Sequence, residues 1–527
     1  MKRLTFIFTM IGIITNVYSQ STLQWSKNFE VGISNYYAEY PTIQTDVNTI
    51  TVTGRKNTPK GQRLMIVKYD LNGDTISTKS FGKDSVSNNI LIDYKFDSTN
   101  HLYLLHADLL EFNKSKIVLQ KYSLNGNLIW VEDIKDIADT AYIPVNLGLA
   151  NDNFIFITGN KRYDYSKDPW DDVVGGKNLA YLFAYNSDGD QLWKREFNPV
   201  TEIWNLDHDL IVHNNTAFLF AFNNSYKNRL VEVDINNNLT INANTEFLYN
   251  FGNVQFTPDN NLLISSSRNE YRIFKLNQNG TEIWTNSTNL QSNSFSDEII
   301  STIQDSDGNI YVTGRHYGIE TNADILTVKF DNKGILKWQN TYKFGGNNAD
   351  IGNVITLKNG YVYVGGQSER LGAGHDYDYI VLKIDSATGV SNGVYRYSGV
   401  ANGDCAISSL SVFDNGNVAL TGLSYNSSNY DWTTQLLSDI ILSVPDFISE
   451  QKVDVYPNPV TSGATLTVKG NGFKEYSVMS SIGQVVQQGK FGKNDFQTIQ
   501  LENVMTGMYF LSLKTDKELL TRKIIVK

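Results

Sequence analysis

The residues able to do chemistry in this chain are few and scattered. Six histidines and one cysteine stand among 527 residues. The single thiol, Cys405, excludes an intramolecular disulfide and any cysteine-rich zinc or iron–sulfur site. No HExxH, GxSxG or Walker-type spacing occurs. His316 follows Arg315, and His375 precedes Asp376, so two imidazoles stand beside charged groups suited to acid–base work. Asp305, Asp307 and Asn309 have the spacing of a calcium-loop fragment, which is also the spacing of an ordinary capped turn. The densest cluster is KRYDYSKDPWDDVVGGK, residues 161–177. Its Tyr163, Tyr165 and Trp170 can stack on sugar rings. Its Asp164, Asp171 and Asp172 can accept sugar hydroxyls or hold calcium. A basic residue also recurs, as Arg55, Lys161, Arg268, Arg315 and Arg370. At a shared position in a closed ring these would form a cationic collar suited to carboxylates or sulfates. The alternative is arginine packed between repeats and paired with aspartate.

The elements that position these residues are repeated. One fragment is a strand, a turn and a strand ending in Gly, clearest in IISTIQDSDGNIYVTG (299–314). It is echoed at Gly54, Gly159, Gly366 and Gly422. The other is a strand, a turn and a strand carrying Trp, clearest in ILTVKFDNKGILKWQNTY (325–342). Trp follows the turn glycine by four residues in Gly126/Trp130, Gly189/Trp193, Gly280/Trp284 and Gly334/Trp338. Together they make a unit of four short alternating strands, the pattern of a propeller blade. Eight units are expected, with seven as the alternative because the fourth and fifth are degenerate. The eighth lacks its Trp strand, and LQWSKNF (23–29) at the other end of the chain matches LKWQNTY (336–342). A strand within 22–30 therefore closes the ring and removes an exposed edge. The tryptophans are expected on outer strands, packed against the next blade.

The units resemble the β-propeller repeats of secreted bacterial proteins known as SBBP repeats, most closely in DSDGNIYVTG…ILTVKFDNKGILKW. That resemblance implies a propeller over residues 20–445 and does not name a ligand, because propellers host many activities.

After a linker at 446–452 come short alternating strands that read as a small immunoglobulin-like sandwich. Pro457 and Pro459 are expected to fix an extended entry into its first strand. Residues 453–527 resemble the type A C-terminal sorting domain of the type IX secretion system of Bacteroidota. The matching motifs are Tyr456-Pro457-Asn458-Pro459, Gly483 within SIGQ, and Gly507 with Tyr509 within GMYF. The resemblance implies that the type IX machinery is a partner, and that the rest of the chain is attached at the cell surface or released.

Composition fits that destination. The chain is 41% hydrophobic and 19% charged, so it can bury a core. Residues 1–19 read as a signal peptide, with Lys2 and Arg3 before an apolar block too short to span a membrane. No later window is apolar enough for a transmembrane helix. Residues 20–450 hold 33 Lys/Arg and 49 Asp/Glu, net −16, while residues 451–527 hold 10 and 6, net +4. An acidic passenger repels nucleic acid and anionic membranes and tolerates calcium. The expectation is an exported binding protein for a glycan, peptide or protein. A polysaccharide hydrolase or lyase, and a structural surface-layer component, are the alternatives.

Overall fold

The computed structural model describes Leu23–Lys527 apart from 34–39, 83–88, 135–140, 163–177, 198–209, 223–227, 235–239, 248–252, 289–296, 371–375, 441–453 and stretches of four residues or fewer. The chain divides into two compact units, one spanning Tyr18–Leu442 and one holding Ser443–Lys527. Among the described residues every regular element is a β-strand.

Among the described residues between Leu23 and Leu437 there are eight four-stranded antiparallel sheets. Seven are simple meanders, numbered here as blades 1–7, whose first strands begin at Thr42, Asn89, Ala141, Leu210, Val254, Glu298 and Asp350. Blade 8 holds Cys405–Val412, Val418–Tyr425 and Tyr430–Leu437 and takes its fourth strand, Leu23–Ile33, from the N-terminus. The fifth unit has the shortest described first strand, Val254–Phe256, and that of the fourth, Leu210–His213, is as short as Thr42–Thr45 of blade 1.

Each junction between neighbouring blades has its own apolar cluster. Leu64 meets Leu104 between blades 1 and 2, and Leu105 meets Ile157 between 2 and 3. Phe156 and Leu219, Phe218 and Ile264, and Leu263 and Val312 continue the series. Ile325 with Val364 and Val381 with Leu420 follow. Trp432 of blade 8 then packs with Ile50 and Val52 of blade 1, so the series has no end. Each fully buried side chain of this kind contributes ~1.5–3 kcal/mol, so stability is spread around the ring. Where first strands of neighbouring blades touch, as in blades 6, 7, 8 and 1, they form the inner wall.

The two sequence signatures have physical causes. In blades 3, 6, 7 and 8 the second-strand glycine stands opposite a bulge in the first strand. A Cβ at Gly159, Gly314, Gly366 or Gly422 would lie 2.1, 1.9, 2.0 or 2.0 Å from a backbone oxygen. Gly366→Ala must therefore force two strands apart. It is expected to lower the thermal midpoint by several degrees, whereas Gly492→Ala, with nothing within 4 Å of the new Cβ, leaves it unchanged. The Trp signature is an inter-blade lock. Trp25, Trp130 and Trp338 pack on Gly73, Gly189 and Gly389 of the next blade. Their indole N–H groups donate to the carbonyls of Leu71, Ser187 and Ser386 at 3.0, 3.1 and 3.1 Å.

The C-terminal unit has two sheets. Asp454–Tyr456, Thr465–Lys469 and Phe496–Gln500 form one. Val485–Lys490, Glu475–Ser480, Gly507–Lys514 and Leu519–Val526 form the other. Leu466, Val478, Leu511 and Ile524 share the core between them. The two prolines correct an expectation: Pro457 and Pro459 follow the first strand instead of leading into it, each after a cis peptide bond.

Candidate functional site: a buried polar rung at the long-loop ends

In blades 6 and 7 the turns joining strands one to two and three to four are short, as at Asp305–Asn309 and Asp331–Ile335, and so is the strand one-to-two turn of blade 8. The connections between blades are longer, as between Tyr342 and Asp350 and between Tyr397 and Cys405, and so is the strand two-to-three loop of blade 7 between Glu369 and Tyr377. Antiparallel order puts the longer ones at one end of the ring. At that end the last cross-strand rung of these three blades is polar and buried.

In blade 7 the rung is Asp350, Ser368 and Asp378, which face one another in the strand register. Ser368 Oγ donates to Asp350, and the Phe344 N–H donates to the same carboxyl at 2.7 Å. Arg396 donates to Ser368 Oγ at 2.6 Å and to Asp378 at 2.9 Å, with its guanidinium over the Phe344 ring at 3.6 Å. Arg370 donates to the other oxygen of Asp378 at 2.5 Å and to the Gly403 carbonyl at 2.9 Å.

Blade 6 repeats the arrangement. His316 Nδ1 lies 2.8 Å from Asp297, which also accepts the Tyr317 N–H at 2.8 Å, and Asp324 faces His316 in the register. In blade 8 the rung is Cys405, Ser424 and Asp431, with Cys405 Sγ 3.2 Å from Ser424 Oγ.

Electrostatics single out Asp350. It has no exposed surface. Burial pushes its carboxyl up to about 7. Hydrogen bonds from Ser368 and the Phe344 N–H and the charge of Arg396 oppose that shift, while Asp324 adds to it. Asp404 is raised by burial as well, against hydrogen bonds from the Tyr377 N–H and the Tyr430 hydroxyl. Burial holds the Cys405 thiol up at about 11, so it is neutral and a poor nucleophile.

The network's partners are mostly backbone groups at the roots of the long connections. Asp350 holds Phe344, Glu369 accepts the Ala349 N–H at 2.6 Å, Arg370 holds Gly403, and Asp404 holds Tyr377. Its chemistry is therefore to fix loops. Asp324 and Asp350, two carboxylates that act on each other electrostatically, are 5% and 0% exposed.

The residues singled out from the sequence fall into three groups. Tyr163, Tyr165, Trp170, Asp171, Arg268, His375 and Gly483 lie outside the described residues. The described basic residues are each committed to neighbours. Arg55 lies within a strand instead of opening a loop; it donates to the Ile92 carbonyl of blade 2, and burial lowers its pKa to about 10 despite Asp93. Lys161 pairs with Glu196 at 2.8 Å, Arg315 with Glu298 at 2.8 Å and Arg370 with Asp378. Asp305 is a turn cap, accepting from the backbone of Asp307 and Asn309 and from the Tyr311 hydroxyl. Among the described residues no three acidic, histidine or cysteine side chains are grouped to hold a metal. Of the rung, only His316 and Cys405 drew notice in the sequence. The missed signal is the aspartate opening the third strand in ADIL, YDYI and YDWT, residues 323–326, 377–380 and 430–433.

In the C-terminal unit Asn458 is a clamp. Its amide donates to the Lys523 carbonyl at 2.8 Å and its oxygen accepts the Ile525 N–H at 2.9 Å, holding the final strand. Tyr509 is buried in the core, and Gly507 opens its strand.

No curated protein matches the chain. Among solved structures it is similar to a protein of unknown function from Bacteroides caccae, at 11% identity and TM-score 0.30, over 58% of this chain and 96% of the other. It is similar to the WD40 domain of SCAP from fission yeast, at 9% identity and TM-score 0.40, over 78% and 98%. A third is the WD40 domain of Toxoplasma gondii coronin, at 11% and 0.35, over 82% and 90%. At these values the propeller rests on the strand pairing and junction clusters of this chain itself. Residues 454–527 match the family model of the secretion system C-terminal sorting domain. The chain thus ends in a type IX sorting domain and is exported to the cell surface or the extracellular space.

Proposed function

We propose that the propeller is a binding protein, working on the cell surface or released from it, whose glycan, peptide or protein ligand docks on the long-loop face. Residues 1–19 act as the secretory signal, and residues 453–527 engage the type IX machinery of a member of the Bacteroidota. The observation that carries this reading is the buried rung of blades 6–8. Its acids and bases hold loop roots in place and are withdrawn from solvent, as a rigid frame for a recognition surface requires. A hydrolase would instead present a carboxylate pair to substrate.

The test is retention of the exported protein on acidic and neutral polysaccharides and on peptide arrays, with calcium and with chelator, read for binding and for chain cleavage. Retention without cleavage, weakened about tenfold by Trp170→Ala, is the expected result. Shortened chains would make the protein an enzyme. No retention on any of these materials would leave the surface-layer role.

A further inference from the structure

The opposite, short-turn face holds a cleft of about 190 Å³ between blades 5 and 6. It lies among the turns Thr257–Asn261, Asp305–Asn309 and Asp331–Ile335. Asp259, Lys275, Trp284, Gln304, Asp307 and Asn332 line it.

The cleft lies where this junction departs from those of blades 2 and 6. In blades 2 and 6 a third-strand lysine, Lys121 or Lys329, crosses to the next blade and donates to the carbonyl of Ser187 or Ser386. Each lies over a second-strand tyrosine, Tyr103 or Tyr311, at 5.1 and 4.9 Å. In blade 5 the equivalent lysine is Lys275, and the residue paired with it on the second strand is Leu263. The phenol ring is missing, and Lys275 turns to Asp259 of its own blade at 2.7 Å.

We infer that this cleft binds a single neutral sugar ring. Trp284, whose indole packs on Gly334 of blade 6, also lines the cleft and supplies an apolar wall for the C–H face of a pyranose. Hydroxyls both donate and accept, and the remaining wall offers both kinds of partner. Lys275, in a residue only 8% exposed, is a donor. Asp259 and Asp307 are acceptors, and the buried Gln304 Oε1 has no hydrogen-bond partner within the protein. Charge excludes the other classes. Lys275 neutralises Asp259 and helps hold it down at about 2, against the effect of burial. Asp307 then leaves one negative charge, which repels anions, while the Lys275 ammonium in the wall repels metal cations. The volume is that of about six waters at ~30 Å³ each, room for one ring. The site is separate from the long-loop face and does not rest on the function proposed for it.

Saturation-transfer NMR on the full chain, with glucose, galactose, mannose and N-acetylglucosamine each in turn, tests the inference. At least one sugar is expected to bind. Leu263→Tyr, which restores the ring found in blades 2 and 6, and Gln304→Leu are each expected to weaken it about tenfold or more. Trp284→Ala abolishes the signal, whereas Trp130→Ala, which removes the same inter-blade packing elsewhere, preserves it. No transfer from any of the four sugars would overturn the inference. So would binding unaffected by Leu263→Tyr, or displacement by acetate or methylammonium in preference to sugar.

Discussion

A chain lacking residues 20–34 is expected to have no folded propeller. Leu23–Ile33 supplies a whole strand, paired from Leu23↔Leu437 to Ile33↔Tyr430. It covers Trp432, which is completely buried and stacks on Phe29 at 5.5 Å, and it carries Trp25 onto Gly73. Removing one buried large aromatic costs ~3–5 kcal/mol. The truncation uncovers several at once, against a total stability of ~5–15 kcal/mol for a typical domain. Near-UV circular dichroism should show fixed aromatic packing in the complete chain and none in the truncated one. Adding a peptide of residues 22–33 in trans should restore it, because the groove on the last described strand of blade 8 is specific in register. A truncated chain that unfolds cooperatively at the same temperature as the complete one would mean that the ring does not depend on this strand.

The second large effect is a stability that falls as pH rises. The Asp350 carboxyl sits at about 7 in the folded chain, against an ordinary value of ~3.9 when unfolded. A group raised on folding binds its proton more tightly in the native state. Its extra stability is therefore complete below pH 4 and is lost as pH climbs through 7. Three units correspond to roughly 4 kcal/mol. Thermal midpoints should decline between pH 5 and 8 in the natural chain. Asp350→Asn keeps an oxygen for the Phe344 N–H and removes the charge. It is expected to flatten that decline and to be the more stable protein at pH 8. Asp259, held down at about 2 with Lys275 as its ion-pair partner, has the opposite sign, and its contribution is lost only in acid. An unchanged pH slope in Asp350→Asn would remove Asp350 as the cause.

The ring was legible because its constraints are local and repeated. Gly314 and its equivalents mark a collision between a Cβ and a backbone oxygen, which only glycine avoids, so the residue type survives in blade after blade. Trp130 and Trp338 mark a hydrogen bond to the next turn, and Trp25 betrayed the borrowed strand by the same sign. In blade 2 His106 occupies the ladder position that glycine holds in blades 3, 6, 7 and 8. The polar rung was nearly invisible. Asp350, Ser368, Asp378 and Arg396 are far apart in the chain and come together only through strand register, and isolated aspartates at strand ends look like turn residues. The basic series was drawn from loosely matched positions, with Arg55, Lys161, Arg315 and Arg370 at one, two, one and four residues after a second-strand glycine. Repetition alone could not distinguish side chains that converge on a shared channel from side chains that each find a partner nearby, as Arg315 does in Glu298.

The pairing of Leu23–Ile33 with Tyr430–Leu437 also sets an order in time. Asn28 finds Thr433 across 405 positions of sequence, and Ser26 finds Gln435 across 409. The first strand to leave the ribosome thus waits for the last strand of the propeller before either is complete. Individual blades are local meanders and can form early, but the ring cannot seal until residue 437 has arrived. The sorting domain begins only after that point. A chain that has exposed its address has therefore already exposed everything needed to become circular.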